Sequence, residues 1–297
     1  MATEGRAPRP GSRAPHPGPR VTGSSIAVYF FLILGALACL VPFLFMLSTS
    51  LKTIGETITR VSPIPFDPEF WPRVPQWINF VTAWSDASFS LYFRNSVITA
   101  ALTVAGVIAS SSLAAYAFAK IRFVGSRFLF ALLLATLIIP DSVYLIPNFI
   151  MITRLGWYDT LAGLTVPFMA SAFYIFLLRQ FFSQVPNELL ESARIDGAGH
   201  TRALFSILLP LSGAPLFTVA FLAFVGSWNS LQWPLVATRT ARWRPITVGL
   251  TTFISEAGPQ NQLRMAGAVL AVVPVVLLYF FAQKRFTEAI ARSGIKG

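Results

Sequence analysis

The chain has 297 residues, of which 12% are charged and 55% hydrophobic, with 27 Phe, 7 Trp and 7 Tyr. The charged share is roughly half that of an average soluble domain, which argues against a water-soluble protein and for one that meets lipid on several faces. A single cysteine, Cys39, excludes an internal disulfide framework, and two histidines far apart in the chain, His16 and His200, leave little for zinc-type ligation.

Residues 1–24 carry Pro8, Pro10, Pro15, Pro17 and Pro19 with four arginines. Such a composition cannot bury enough apolar surface to fold, so this segment is read as a disordered cytoplasmic tail ahead of one transmembrane domain at 25–297. The next run, Val21 to Leu51, is free of charge over 31 residues. It exceeds the roughly 7–15 residues of a signal core and is expected to anchor the chain. Walking from charge to charge gives five further stretches, and the spans are predicted near 26–49, 95–117, 128–150, 160–180, 211–236 and 265–283. Each reaches the ~20 apolar residues needed to cross a bilayer. The fold class expected is all-α, polytopic, with six transmembrane helices.

Basic loops stay in the cytoplasm. With the N-terminus inside, fourteen of the 23 basic residues fall on the inner side, and the loop Lys120 to Arg127 has three of them and no acid. Both termini are therefore expected in the cytoplasm. The net charge of +11 is accounted for by topology, not by nucleic-acid affinity, because the basic residues form no single patch. All seven tryptophans, Trp71, Trp77, Trp84, Trp157, Trp228, Trp233 and Trp243, fall on or near the outer side. They read either as an aromatic belt or as a docking face for an external partner.

Polar residues within the spans need partners. Asp141 follows Pro140 halfway along the third predicted span, and Pro147 lies six residues on. An acid at mid-bilayer costs about 2.5–3.5 kcal/mol, so it should face protein or water, in a substrate or gating role or bonded to backbone freed by the prolines. Asn229 and Gln232, three apart in the fifth span, are expected to share a face, with Tyr144 and Asn148 as neighbours from the third. They could line a translocation path or bridge helices. Ser110, Ser111 and Ser112 are expected to permit close helix approach.

Between the fourth and fifth spans, Val185 to Pro210 reads as two short cytoplasmic helices around a turn. Pro186 suits a first helical position, Glu188 the positive end of the helix dipole, Gly197 a left-handed stop, and Thr201 a cap for the second helix. Leu190, Ala193 and Gly197 are expected to offer one small, apolar face to a partner.

This stretch resembles the EAA loop of the permease subunits of binding-protein-dependent ABC importers: Glu191-Ser192-Ala193, three residues, Gly197, nine residues, then Ile207-Leu208-Leu209-Pro210. Ser192 replaces the first Ala of the pattern, small for small. Asp196-Gly197-Ala198 is similar to the carbohydrate branch of the family, as are Phe93-Arg-Asn-Ser96, Trp228-Asn229 followed by Pro234-Leu235, and the ending Ser293-Gly-Ile-Lys-Gly297. The six-span form is similar to the second permease of the maltose importer.

The resemblance implies a type I importer architecture and a division of labour. This chain would supply half of a pathway for a sugar or sugar-like solute across the inner membrane of a prokaryotic cell, with the lipid bilayer around it and a second permease, a dimeric ATP-binding subunit and an extracytoplasmic solute-binding protein as partners. Glu191, Ser192, Ala193, Asp196, Gly197, Ala198, Ile207 and Pro210 would couple to the ATPase, with Glu191 facing a basic residue there. The outer segment Arg239 to Gln262 would reach toward the binding protein. ATP and magnesium would belong to the ATPase, since this chain has no G-x-x-x-x-G-K-[ST] phosphate loop and binds no cofactor by this reading. Glycerol-3-phosphate or its diesters form the alternative substrate class. A self-sufficient secondary transporter would need coupling acids or an inverted repeat, and the sequence offers only Asp141. An intramembrane enzyme is disfavoured by the lack of a G-x-S-x-G or H-E-x-x-H motif.

Overall fold

The computed structural model describes residues 23–59, 62–86, 88–255 and 258–293. The N-terminal tail up to residue 22 and residues 294–297 of the Ser293 to Gly297 ending lie outside the described residues. The chain divides into two units, Met1–Phe45 and Met46–Gly297. The described part of the first unit is most of α1 (Gly23–Ser50), whose side chains Phe30, Phe31, Leu32 and Phe43 are exposed. Such a surface suits acyl chains and not water.

The second unit continues with α2 (Ile54–Thr59), α3 (Ile78–Asp86) and α4 (Phe89–Lys120), then α5 (Ser126–Ala135) and α6 (Asp141–Arg154). Next come α7 (Leu161–Thr165), α8 (Ala172–Gln184), α9 (Glu188–Ile195), α10 (His200–Ala203), α11 (Leu209–Leu211) and α12 (Gly213–Trp228). The last described helices are α13 (Gln232–Ala237), α14 (Ile246–Gly249) and α15 (Asn261–Ser293). A two-residue antiparallel pairing of Ile254–Ser255 with Gly258–Pro259 is the only β structure among the described residues.

Three helices, Ala27–Ser50, Phe89–Lys120 and Asn261–Gln283, are each long and apolar enough to cross a membrane. Three bent pairs bring the number to six when each pair is one span. The sequence reading took the first two pairs as single spans and placed the first arm of the third, up to Pro210, in the cytoplasmic loop; the bends have identifiable causes. In the first, the 3-10 turn Thr136–Ile138 follows α5, and Ile139 is driven to an extended conformation (ψ 119°) by Pro140, so the chain turns by 102° before α6. In the second, the 3-10 turn Val166–Phe168 and extended Ser171 produce 46°.

In the third pair the bend reaches 84° at Ser212. Pro210 has no N–H to give to the carbonyl four residues back, and the preceding turn, Leu204–Leu208, widens to a π-helix in which Leu209 N–H reaches the Leu204 carbonyl. The fifth predicted span, 211–236, in fact stops at Trp228, and α13 follows as a separate short helix.

Packing centres on α4. Its buried Val107, Ala115 and Tyr116 meet Leu178 and Phe182 of α8, Leu204 and Leu208 of the π turn, and Val219 of α12. Close approach is possible because Ser111 and Ser112 are buried small residues and Gly106 lies under Met169, where an added Cβ would come within 2.2 Å of its side chain. A second cluster joins Ala83 and Phe89 to Trp228, Ile246 and Leu263. A third joins Ile152 and Leu164 to Trp233 and Ala237.

Trp228 and Trp233 thus belong to the core and not to an interfacial belt. Their indole N–H groups donate to the carbonyls of Ala271 at 3.0 Å and Gly163 at 3.1 Å, as buried tryptophan requires. Trp71, Trp77 and Trp84 are exposed, as a belt or docking face demands.

Candidate functional site

The loop between α8 and α10 is built by local rules. Pro186 ends α8 by forcing Val185 into an extended conformation (ψ 126°). Helical geometry resumes at Asn187, whose carbonyl accepts from Leu190 and Glu191, so α9 starts two residues later than Pro186 suggested. Glu188 and Glu191 lie in its first turn, where the dipole favours acids. At the other end Gly197 N–H donates to the Arg194 carbonyl at 3.0 Å and Ala198 N–H to the Ala193 carbonyl at 2.8 Å, the pair of bonds that defines a Schellman stop.

Gly197 has φ +82°, and nothing lies within 4 Å of where a Cβ would sit. The glycine is needed for its conformation and not for space. Gly199 occupies the cap position of α10, while Thr201, expected as that cap, is the second residue of the helix.

Leu190 is 4% exposed and Ala193 half-buried, so these two members of the small apolar face expected to meet a partner turn inward and anchor the loop, while Gly197 stays exposed. The outward face carries Glu188, Glu191, Ser192, Asp196 and Ile195, the last 88% exposed. Ser192 Oγ donates to the Leu189 carbonyl at 3.1 Å. Ala198 and Ile207 are half-buried and Pro210 is exposed.

The loop is rooted firmly. Lys120 Nζ donates to the Val185 carbonyl at 2.6 Å and to Asn187 Oδ1 at 2.9 Å. Tyr116 Oη lies 3.0 Å from His200 Nδ1, and Arg179 Nε donates to the Phe118 carbonyl at 3.3 Å. With Ala203, Leu204 and Leu208 buried, the segment is a stiff projection continuous with the α4 core.

Three of the polar residues expected inside spans, Asp141, Asn229 and Gln232, sit at helix breaks. Asp141 is exposed and is the first residue of α6, not a mid-helix acid, because Pro140 ends the preceding helix. Pro147 remains inside α6. Tyr144 and Asn148 follow on the same face of that helix, both half-buried.

Asn229 is the C-cap of α12 and Gln232 the first residue of α13, both exposed. They therefore do not share a helical face as the three-residue spacing suggested. α13 nevertheless packs beside α6, with Trp233 and Ala237 against Ile152 and Phe149.

At the other end of the second unit a polar platform forms that sequence reasoning missed as a unit. Lys52 is 1% exposed and its Nζ donates to the Glu69 carbonyl at 2.6 Å. Burial lowers its pKa, partly offset by Glu56, Glu69 and Asp67. Asn79 Nδ2 donates to the carbonyls of Ser50 and Lys52. Asn95 Nδ2 donates to the carbonyls of Arg242 (2.9 Å) and Arg244 (3.0 Å), and Ser96 Oγ accepts from Ile246 N–H at 2.8 Å. The Phe93 to Ser96 motif thus ties the start of α4 to the segment before α14.

Asp159, at φ +56°, accepts from Arg239 N–H, Thr240 N–H and Thr240 Oγ1. Burial opposes its ionisation, but the bonds from Thr240 and Arg239, with Arg244 nearby, outweigh that and hold its pKa below the usual carboxylate value.

Residues 106–292 match the family model described as binding-protein-dependent transport system inner membrane component. The sn-glycerol-3-phosphate transport system permease protein UgpE of Yersinia enterocolitica is 34% identical over 274 residues, covering 91% of this chain and 97% of the relative. The arabinooligosaccharides transport system permease protein AraQ of Halalkalibacterium halodurans is 31% identical, covering 86% of this chain and 91% of its own. In fold, the chain is similar to a solved chain of a bacterial ABC transporter involved in the import of the acidic polysaccharide alginate, with TM-score 0.77 and 23% identity over 90% of this chain and 99% of the other.

Proposed function

This chain belongs to the family of inner membrane components of binding-protein-dependent transport systems, and we propose that it moves a carbohydrate into the cytoplasm by taking up the motion of a separate ATPase through residues 185–210. As a permease subunit of an ABC importer it is a multi-pass membrane protein. In the proposed assembly it pairs with a second permease, both termini face the cytoplasm, and an extracytoplasmic binding protein delivers the solute. ATP and magnesium are held by a dimeric ATP-binding subunit, and this chain performs no catalysis.

The observation that carries the coupling role is the rooted helix-turn-helix itself. Glu191 and Ile195 project from α9 while Leu190, Lys120 and Tyr116 fasten it to the bundle. A displacement applied at Ile195 is passed to α4 and α8, and the breaks at Pro140 and Ser212 let half-spans tilt against each other. Asp141, Tyr144 and Asn148 on α6, with Asn229 and Gln232 at the break between α12 and α13, are the proposed polar surface of the path.

Glycerol-3-phosphate is the second substrate reading, favoured by the UgpE relative at 34% identity. Purification of the chain in mild detergent from its native host tests the proposal. Co-purification of an ATP-binding subunit, a second permease and a binding protein supports it, and the recovered binding protein can be screened with sugars and glycerol-3-phosphate. A stable homo-oligomer alone, beside a control complex that survives the same procedure, would reject it.

A further inference from the structure

Where α4 hands over to α5, at the same end of the bundle as the 185–203 loop, a cavity of about 150 Å³ is lined by Phe118, Ser126, Arg127, Phe130 and Arg179. Two guanidinium groups open on one small space with aromatic walls. The Arg179 guanidinium carbon lies 4.1 Å from the centre of the Phe130 ring, and its Nε donates to the Phe118 carbonyl. This fixes the side chain with one of its five N–H donors and leaves the other four on its terminal nitrogens. Arg127 is exposed at the start of α5, and the residues that line the cavity include two arginines and no acid. The mouth of the cavity is therefore electropositive.

Beside it runs an apolar surface. Phe128 is 71% exposed, and Leu129 and Leu132 on the same helix are exposed as well. A basic cavity bordered by an apolar wall has the two chemistries of an amphiphile with an anionic head. We infer that it holds the phosphodiester headgroup of an anionic phospholipid, with Arg127 and Arg179 on the phosphate oxygens and the acyl chains along Phe128, Leu129 and Leu132. A free anion would use the guanidinium groups and leave the apolar wall idle, which is why a lipid is the better fit. The assignment of this lipid to the cytoplasmic leaflet rests on the orientation proposed above; the binding does not.

The full-length chain, purified in its membrane complex and delipidated in mild detergent, is titrated with phosphatidylglycerol, phosphatidylcholine or inorganic phosphate, and adducts are followed by native mass spectrometry. Phosphatidylglycerol is expected to form a saturable adduct whose apparent Kd rises about tenfold or more in the Arg127→Gln/Arg179→Gln double variant. Arg127→Gln alone, at an exposed position, is expected to weaken it about threefold and keeps the test decisive should the double variant not assemble. Phosphatidylcholine should show no saturable adduct, and millimolar phosphate should not compete. Unchanged phosphatidylglycerol affinity in the variants, equal binding of phosphatidylcholine, or displacement by phosphate would each overturn the inference. Because adducts are read and not transport, failure of the lipid site and failure of the import role give separate results.

Discussion

The hydroxyl of Tyr116, near the end of α4, lies 3.0 Å from Nδ1 of His200, in the first turn of α10. The two residues are 84 apart in sequence, and their contact joins the helix at the centre of the core to the far arm of the helix-turn-helix. Lys120, one turn beyond Tyr116, grips the near arm at Val185 and Asn187. Both arms of the loop therefore hang from the last turn of α4, and a push on the loop arrives there first.

Cutting these tethers should weaken transmission more than it weakens folding. Lys120→Met removes two bonds to one arm, and Tyr116→Phe removes the bond to the other while keeping the buried ring. Each loses about 0.5–3 kcal/mol locally. Uptake is expected to fall several-fold while the amount of assembled complex in the membrane stays the same. Parental uptake by the double variant would show that the tethers carry no load.

Gly197 sits at φ +82° with open space around its missing Cβ. A branched side chain therefore fails on backbone conformation, at a cost of about 1–2 kcal/mol, while asparagine, which tolerates the left-handed region, fails little. Gly197→Val is expected to uncouple ATP hydrolysis from uptake and Gly197→Asn to keep most activity. If size rather than conformation decides, both will be equally impaired, and the uptake ratio reads this directly.

Glu191 is exposed on the outward face of α9. Should it meet a basic residue of the ATP-binding subunit, Glu191→Asp will retain uptake better than Glu191→Lys, which sets like charges together. Equal activity of the two variants would mean that no basic group faces this position.

Asp159 links the segment between α6 and α7 to Arg239 and Thr240 through three hydrogen bonds. Its pKa is depressed in the folded chain, so the stabilisation is fully present above the usual carboxylate value near ~4 and is lost as pH falls through the lower folded value. Asp159→Asn should therefore cost about 1–2 kcal/mol at neutral pH, and its melting temperature in detergent should converge on the parent's in acid. Asp159→Ala should be worse than Asn, since alanine also bears the strain of φ +56°. A difference between Asn and parent that holds at every pH would reject this account.

What could be read from sequence were the properties that live in a local stretch. Apolar runs of span length marked the three long helices and the bent pairs at 126–154 and 161–184, and Gly197 in its motif marked the turn of the loop, because hydropathy and backbone conformation need no distant partner. Proline was read in part. Pro140 was expected to open the helix at Asp141, and the chain breaks there outright, so that Asp141 starts a new helix in the middle of the bent pair 126–154. Leu190 was assigned to the wrong side of α9, because helical spacing groups residues on a face without saying which way the face points. Trp228 and Trp233 were counted with the interfacial rings, since a preference for membrane surfaces does not distinguish a ring buried against Ala271 or Gly163. The tethers from Tyr116, Lys120, Asn95 and Asp159 join residues 65 to 149 positions apart, and no local pattern announces them.

The most direct test of the coupling role is a cross-linking measurement at Ile195, the exposed apolar tip of α9. A photoreactive thiol probe is attached to Ile195→Cys in a Cys39→Ala background, in membranes carrying the intact complex, with Leu137→Cys as the span-located comparison. The account predicts a cross-link from Ile195 to the ATP-binding subunit, none from Leu137, and protection of Ile195 from a membrane-impermeant thiol reagent added outside. A complex that assembles and imports normally but gives no ATPase cross-link from Ile195, or in which Ile195 is labelled from outside, would contradict it.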